Sequence, residues 1–156
     1  MNKTERYELL TRQIQALAEG ETDAVAVMAN VCAAIHEAMG FFWTGFYIDR
    51  PQPHGGSQLV LGPFQGPVAC YRIPHDRGVC GAAFSRQATI VVPDVEQFPG
   101  HIACSSLSRS EIVVPVFSSD RQPVAVLDID SRELATFDEV DQHYLEPIAA
   151  IVGRLL

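Results

Sequence analysis

The sequence predicts an α+β fold in which helices from the two ends of the chain pack on an antiparallel sheet. Two observations carry that expectation. Helical periodicity occupies the start and end of the chain, whereas the middle is a series of short apolar segments broken by turns. Within that series a helix intervenes only once, while a parallel doubly wound sheet needs one after nearly every strand. The 156 residues fit one domain, 1–156, and 47 % hydrophobic with 19 % charged residues is a globular composition.

Between Lys3 and Glu19, Tyr7, Leu10, Ile14 and Leu17 step by three and four, one stripe of a helix that Gly20 stops. Thr22 or Asp23 caps a second helix with Ala24, Met28, Val31, Ile35 and Met39 on one face, ended by Gly40. FFWTGFYID (Phe41–Asp49) alternates as a strand, and Arg50–Ser57 reads as a hairpin loop. QLVLGPF and PVACYRI are two further short strands. Arg77 to Gln87 is a glycine-marked turn entering a short helix, and TIVVPDV another strand. Phe98–Ser110 is a loop of small and polar residues, long enough to suggest function. EIVVPVF and PVAVLDID form the last strands. A capping box at Thr136–Glu139 opens a final helix, which Pro147 should kink or break.

A net charge of −8 excludes the cationic surface needed for nucleic acid or an anionic membrane. The start of the chain lacks a signal-peptide pattern, and no apolar run reaches the ~20 residues that cross a bilayer. The expected location is cytoplasmic, where thiols stay reduced. No C-x-x-C pair or zinc-type Cys/His spacing occurs, so neither a structural disulfide nor a metal site is expected.

The four cysteines are unequal. Cys32 lies on the apolar side of the second helix and reads as a small buried hydrophobe. Cys70, Cys80 and Cys104 sit in polar or turn-rich surroundings, which points to redox use. Cys80, at the start of the short helix, occupies a place where the helix dipole favours a thiolate. Strand alternation puts Asp128 and Asp130 on one face, and Glu111 begins the neighbouring apolar strand. Crowded carboxylates there would keep one carboxyl protonated near neutral pH. Trp43 and Tyr47 share a strand face, and an aromatic wall beside carboxylates suits a ligand with an ammonium end and a polarised sulfur. A thiolate, a neutral acid and an aromatic wall together fit sulfoxide reduction. The thiolate attacks the sulfur, oxygen transfer yields a sulfenic acid, a second cysteine condenses it to a disulfide, and an external dithiol reopens that bond. No cofactor is required.

GVCG (Gly78–Gly81), FPGHIAC (Phe98–Cys104), SEIVVP (Ser110–Pro115) and VLDIDS (Val126–Ser131), with WTGFY (Trp43–Tyr47) and LGPFQG (Leu61–Gly66), occur here in one order. This set closely resembles the free methionine-(R)-sulfoxide reductases built on a GAF domain, from about residue 22 to the C-terminus. The resemblance implies a six-stranded antiparallel sheet, a homodimer, free methionine-(R)-sulfoxide as substrate and thioredoxin as reductant. It implies Cys104 as the attacking cysteine, Cys70 as its resolving partner and Cys80 as an accessory or second resolving thiol. Trp43 and Tyr47 would hold the substrate's methyl and side chain, and Glu111, Asp128 and Asp130 its sulfoxide oxygen and ammonium. One departure is Ser105, where the family usually carries an acidic residue. The alternatives are a non-catalytic GAF ligand-binding module and a cysteine redox sensor, which has no use for Glu111, Asp128 and Asp130.

Overall fold

A computed structural model describes residues 1–102 and 104–156. Helix α1 (Lys3–Ala18) opens with a capping box: the Asn2 side chain accepts from the Glu5 N–H, and the Glu5 carboxylate accepts from the Asn2 N–H. Tyr7, Leu10 and Ile14 are buried as their spacing predicts, whereas Leu17, in the last turn, is 46 % exposed. Helix α2 (Ala24–Met39) is capped by Asp23, which accepts from the Ala26 N–H, and ends on Gly40.

Six antiparallel strands follow: β1 (Trp43–Pro51), β2 (Ser57–Gln65), β3 (Arg72–Ile73), β4 (Ile90–Val92), β5 (Ser110–Phe117) and β6 (Pro123–Ser131). Their order in the sheet is β3-β2-β1-β6-β5-β4. Helix α3 (Gly78–Arg86) lies between β3 and β4, and α4 (Glu139–Gly153) closes the chain.

The sheet separates two apolar layers. Phe46, Ile48, Ile112, Val114, Leu127 and Ile129 face α1, α2 and α4, while Tyr47, Val113 and Val126 face Val79, Ala83 and Phe84 of α3. Each fully buried Val, Leu or Ile contributes about 1.5–3 kcal/mol. The helix-covered layer is the larger apolar core; the α3 side is thinner and finished by loops. No helix among the described residues is long and apolar enough to cross a membrane.

Three expectations of local structure are corrected. PVACYRI is a strand only at Arg72–Ile73. Upstream, its carbonyls are taken by side chains instead of a neighbouring strand: Trp43 Nε1–H donates to Pro67 and the Tyr47 hydroxyl to Cys70. TIVVPDV stops at Val92, before Pro93, and Val95–Gln97 winds into a 3-10 turn capped by Asp94. The cap of α4 is Asp138 with Asp141, not Thr136 with Glu139; Thr136 bonds to Ser131 instead. Pro147 does not end α4. It sits on the exposed side, where water can satisfy the freed carbonyl, while buried Leu145, Ile148, Ala149 and Val152 hold the helix to the sheet.

Candidate active site

The site is built on the α3 side of the three central strands. Register pairs Trp43 with Asp130 across β1 and β6, and Asp130 with Glu111 across β6 and β5. Asp128 lies two residues from Asp130 on the same face, opposite Gly45 and Val113. Gly45 is required there. A Cβ at that position would lie 2.4 Å from the Trp43 ring and 2.5 Å from Phe64 Cβ. The missing side chain lets Trp43 lie flat, stacked on Phe64 at 5.3 Å and on Tyr47 at 5.9 Å.

A cleft of about 580 Å³, counting its open mouth, lies over this row. Its floor is Glu111, Asp128, Asp130 and Cys80; one wall is Trp43 and Tyr47. The mouth is framed by Pro67–Ala69 and by the loop bearing His101, Ile102 and Cys104. Ala103 of the FPGHIAC stretch lies outside the described residues.

Cys70 and Cys104 are joined by a disulfide, with Cα atoms 5.6 Å apart and a sequence separation of 34. Cys104 is exposed and Cys70 half-buried, so the bond sits at the lip of the cleft. Cys32 and Cys80 are free and buried. Cys32 donates to the Pro63 carbonyl on the α2 side, and burial pushes its thiol up to about 12. That side of the sheet has no access to the cleft.

Cys80 departs from expectation. It is only 3 % exposed, and burial pushes its thiol well above the usual range, with Asp128, Glu111 and Asp130 adding to the effect. The helix dipole is overridden by desolvation and three carboxylates that local sequence does not reveal. The surroundings of Cys80 therefore favour the neutral thiol.

Glu111 and Asp128 are each 6 % exposed. Burial first, and then the Asp128 and Asp130 charges, hold the Glu111 carboxyl well above the ordinary carboxylate range. Burial and the Asp128 charge do the same for Asp130. Asp128 is raised by burial against opposing pulls from its neighbours Glu111, Cys80 and His101. The arrangement is a row of three carboxyls in which burial and the Asp128 charge hold both Glu111 and Asp130 toward the neutral form. Among the described residues, Asp128 Oδ1 is buried without a hydrogen-bond partner. His101, whose Nε2 lies 3.8 Å from Glu111 Oε1, joins the site from the FPGHIAC stretch. No sequence feature assigns His101 a role, although its place in that stretch, three residues before Cys104, is the available signal. Burial holds its imidazole below the usual value against the raising pull of Asp128.

The site thus combines an exposed cysteine bridge, a carboxylic acid and an aromatic wall on one cleft, equipment for thiol-based reduction of a small polar molecule. A family model described as GAF domain matches residues 21–156. This chain belongs to the GAF domain family. Over 98 % of its length this GAF domain is 50 % identical to GAF domain-containing protein A of Dictyostelium discoideum, covering 94 % of that protein. It is 43 % identical over its whole length to the free methionine-R-sulfoxide reductase of Escherichia coli, covering 92 % of it. Among solved structures, the free methionine-R-sulfoxide reductase from Neisseria meningitidis in complex with its substrate superposes with a TM-score of 0.93 at 50 % identity. That match covers 99 % of this GAF domain and 90 % of the other chain. The antiparallel six-stranded sheet expected from the motif set is therefore the GAF domain's own. Helix α1 precedes the matched span, yet it is docked: Tyr7 and Lys3 donate at 2.6 and 2.7 Å to buried Asp141 of α4.

Proposed function

We propose that this GAF domain reduces free methionine-(R)-sulfoxide to methionine. The observation that carries the reading is the Cys70–Cys104 bridge on the lip of a cleft floored by Glu111, Asp128 and Asp130. Its support from outside the chain is the activity named for its E. coli and N. meningitidis relatives.

The substrate's ammonium group is attracted by the aspartates, and its methyl and side chain lie on Trp43 and Tyr47. With the bridge open, the Cys104 thiolate attacks the sulfoxide sulfur while Glu111 supplies a proton to the oxygen. Three carboxylates in one buried row cannot all ionise, which keeps that proton available. Oxygen passes to sulfur Sγ of Cys104, leaving a sulfenic acid and methionine. The Cys70 thiol then attacks that sulfur, water departs, and the disulfide forms. A small dithiol protein such as thioredoxin reopens it, itself becoming a disulfide. The sum is one sulfoxide and two thiols to one sulfide, one disulfide and one water. The enzyme works in the cytoplasm as a homodimer.

The test is purified protein with thioredoxin, thioredoxin reductase and NADPH, followed by NADPH consumption. Free methionine-(R)-sulfoxide should be turned over, and the S epimer and a sulfoxide within a peptide should not. No turnover of the free R epimer sinks the proposal. A redox sensor would share the thiols, but the buried carboxylate floor, costly to fold, has no part in that role.

A further inference from the structure

We infer that the floor of the cleft is a binding site for a borderline-soft divalent cation of the Zn²⁺ class, held by Cys80, Glu111 and Asp128. The ligand atoms of these three buried residues lie within 4.8 Å of one another. They are sulfur and carboxylate oxygen, which zinc takes at about 2.0–2.3 Å in tetrahedral array. Donors so arranged stand ~3.5 Å apart, so the set needs to close by only about an ångström. A separate observation points to a ligand. Among the described residues, Asp128 Oδ1, on a side chain 6 % exposed and lining the cleft, has no hydrogen-bond partner. An unpaired buried carboxylate oxygen is expensive unless something cationic or donating completes it. A fourth donor is at hand in His101, whose Nε2 is 3.8 Å from Glu111 Oε1.

The donors come from α3, β5 and β6, so no local spacing of the kind that marks zinc motifs announces them. Ligation would release the Cys80 thiol proton to solvent as the sulfur–metal bond forms. The cation would occupy the floor where the substrate's polar end is placed. Occlusion of the substrate therefore rests on the reductase reading; the binding itself does not.

The oxidised protein isolates the site, because the Cys70–Cys104 bridge leaves only Cys32 and Cys80 as free thiols. Titration with Co²⁺ without added thiol should give a thiolate-to-cobalt charge-transfer band that equimolar Zn²⁺ removes. Cys80→Ser should abolish the band and weaken Zn²⁺ binding by about tenfold or more. Cys32→Ala should leave both intact, and Asp128→Asn, which keeps the thiol, should weaken Zn²⁺ comparably. No band in the wild type, or a band that persists in Cys80→Ser, overturns the inference. A protein that binds Co²⁺ through Cys80 yet leaves methionine sulfoxide untouched would sink the reductase reading alone. One that turns over the substrate without any band would sink the cation site alone.

Discussion

The Tyr47 hydroxyl donates a 2.9 Å hydrogen bond to the carbonyl of Cys70. Together with Trp43 Nε1–H, which donates at 3.0 Å to the carbonyl of Pro67, it fastens the segment bearing Cys70 to the central strand β1. The aromatic wall is thus also the mount of one bridge cysteine. Tyr47→Phe keeps the wall and loses the mount, a change of about 1 kcal/mol. Formation of the Cys70–Cys104 disulfide after one turnover should slow by about fivefold, that energy expressed as a rate, while methionine release in that turnover is nearly unchanged. Rapid-quench thiol counting distinguishes the two; an equal fall in both would place the tyrosine's effect on substrate binding.

The bridge cysteines should separate cleanly by substitution. Cys104→Ser is expected to produce no methionine even in a single turnover. Cys70→Ser should form about one methionine per chain and then stop under thioredoxin recycling. An unimpaired steady-state rate for Cys70→Ser would transfer the resolving role to another thiol.

Glu111→Gln should make the protein more stable and nearly inactive. The amide fills the same space without adding a third acid to a buried row shared with Asp128 and Asp130. Removing the proton donor should cost about 10²–10⁴-fold in kcat. A rise in Tm accompanying that loss is the diagnostic pair, since a merely structural role predicts a fall in both.

Docking of α1 on α4 should depend on pH at both extremes. Burial alone would lower the Lys3 pKa, but its bonds to Asp141 and Asp138 raise it. That contribution is present below the ordinary lysine range and lost as pH climbs through the raised value. Asp138 is depressed: burial opposes this, but the Val140 N–H and Lys3 outweigh it. Its contribution is present above the ordinary carboxylate range and lost as pH falls through the depressed value. The stability difference between wild type and Lys3→Met, from urea unfolding, should therefore shrink as pH falls below the ordinary carboxylate range, about pH 4. Asp141→Ala removes the acceptor of both Tyr7 and Lys3, leaves the buried Tyr7 hydroxyl unsatisfied, and should cost about 1–3 kcal/mol.

Much of the layout was legible because periodicity is local. Alternation alone put Asp128 and Asp130 on one face, and steps of three and four located α1 and α2. Glu111 is different. It meets Asp130 only through the β5–β6 register, which is set by a whole sheet and not by any nearby residue. Cys80 was misread for the same reason, since the carboxylates that keep its thiol neutral arrive from strands far along the chain. The loop at Cys70 was mistaken for a strand because its apolar residues alternate. What diverts it is the polar ends of Trp43 and Tyr47, which a hydrophobic pattern counts only as hydrophobic.

The bridge between Cys70 and Cys104 encloses β3, α3 and β4 in a covalent ring. Closing a loop of that size narrows the unfolded ensemble by about 4 kcal/mol at most. On the proposed cycle, making and breaking this ring would also tighten and loosen the fold. The melting temperature would then register how much oxidised substrate the protein has met and how fast its reductant keeps pace. Starved of reductant, it would stall in its most durable form, inactive but protected until electrons return.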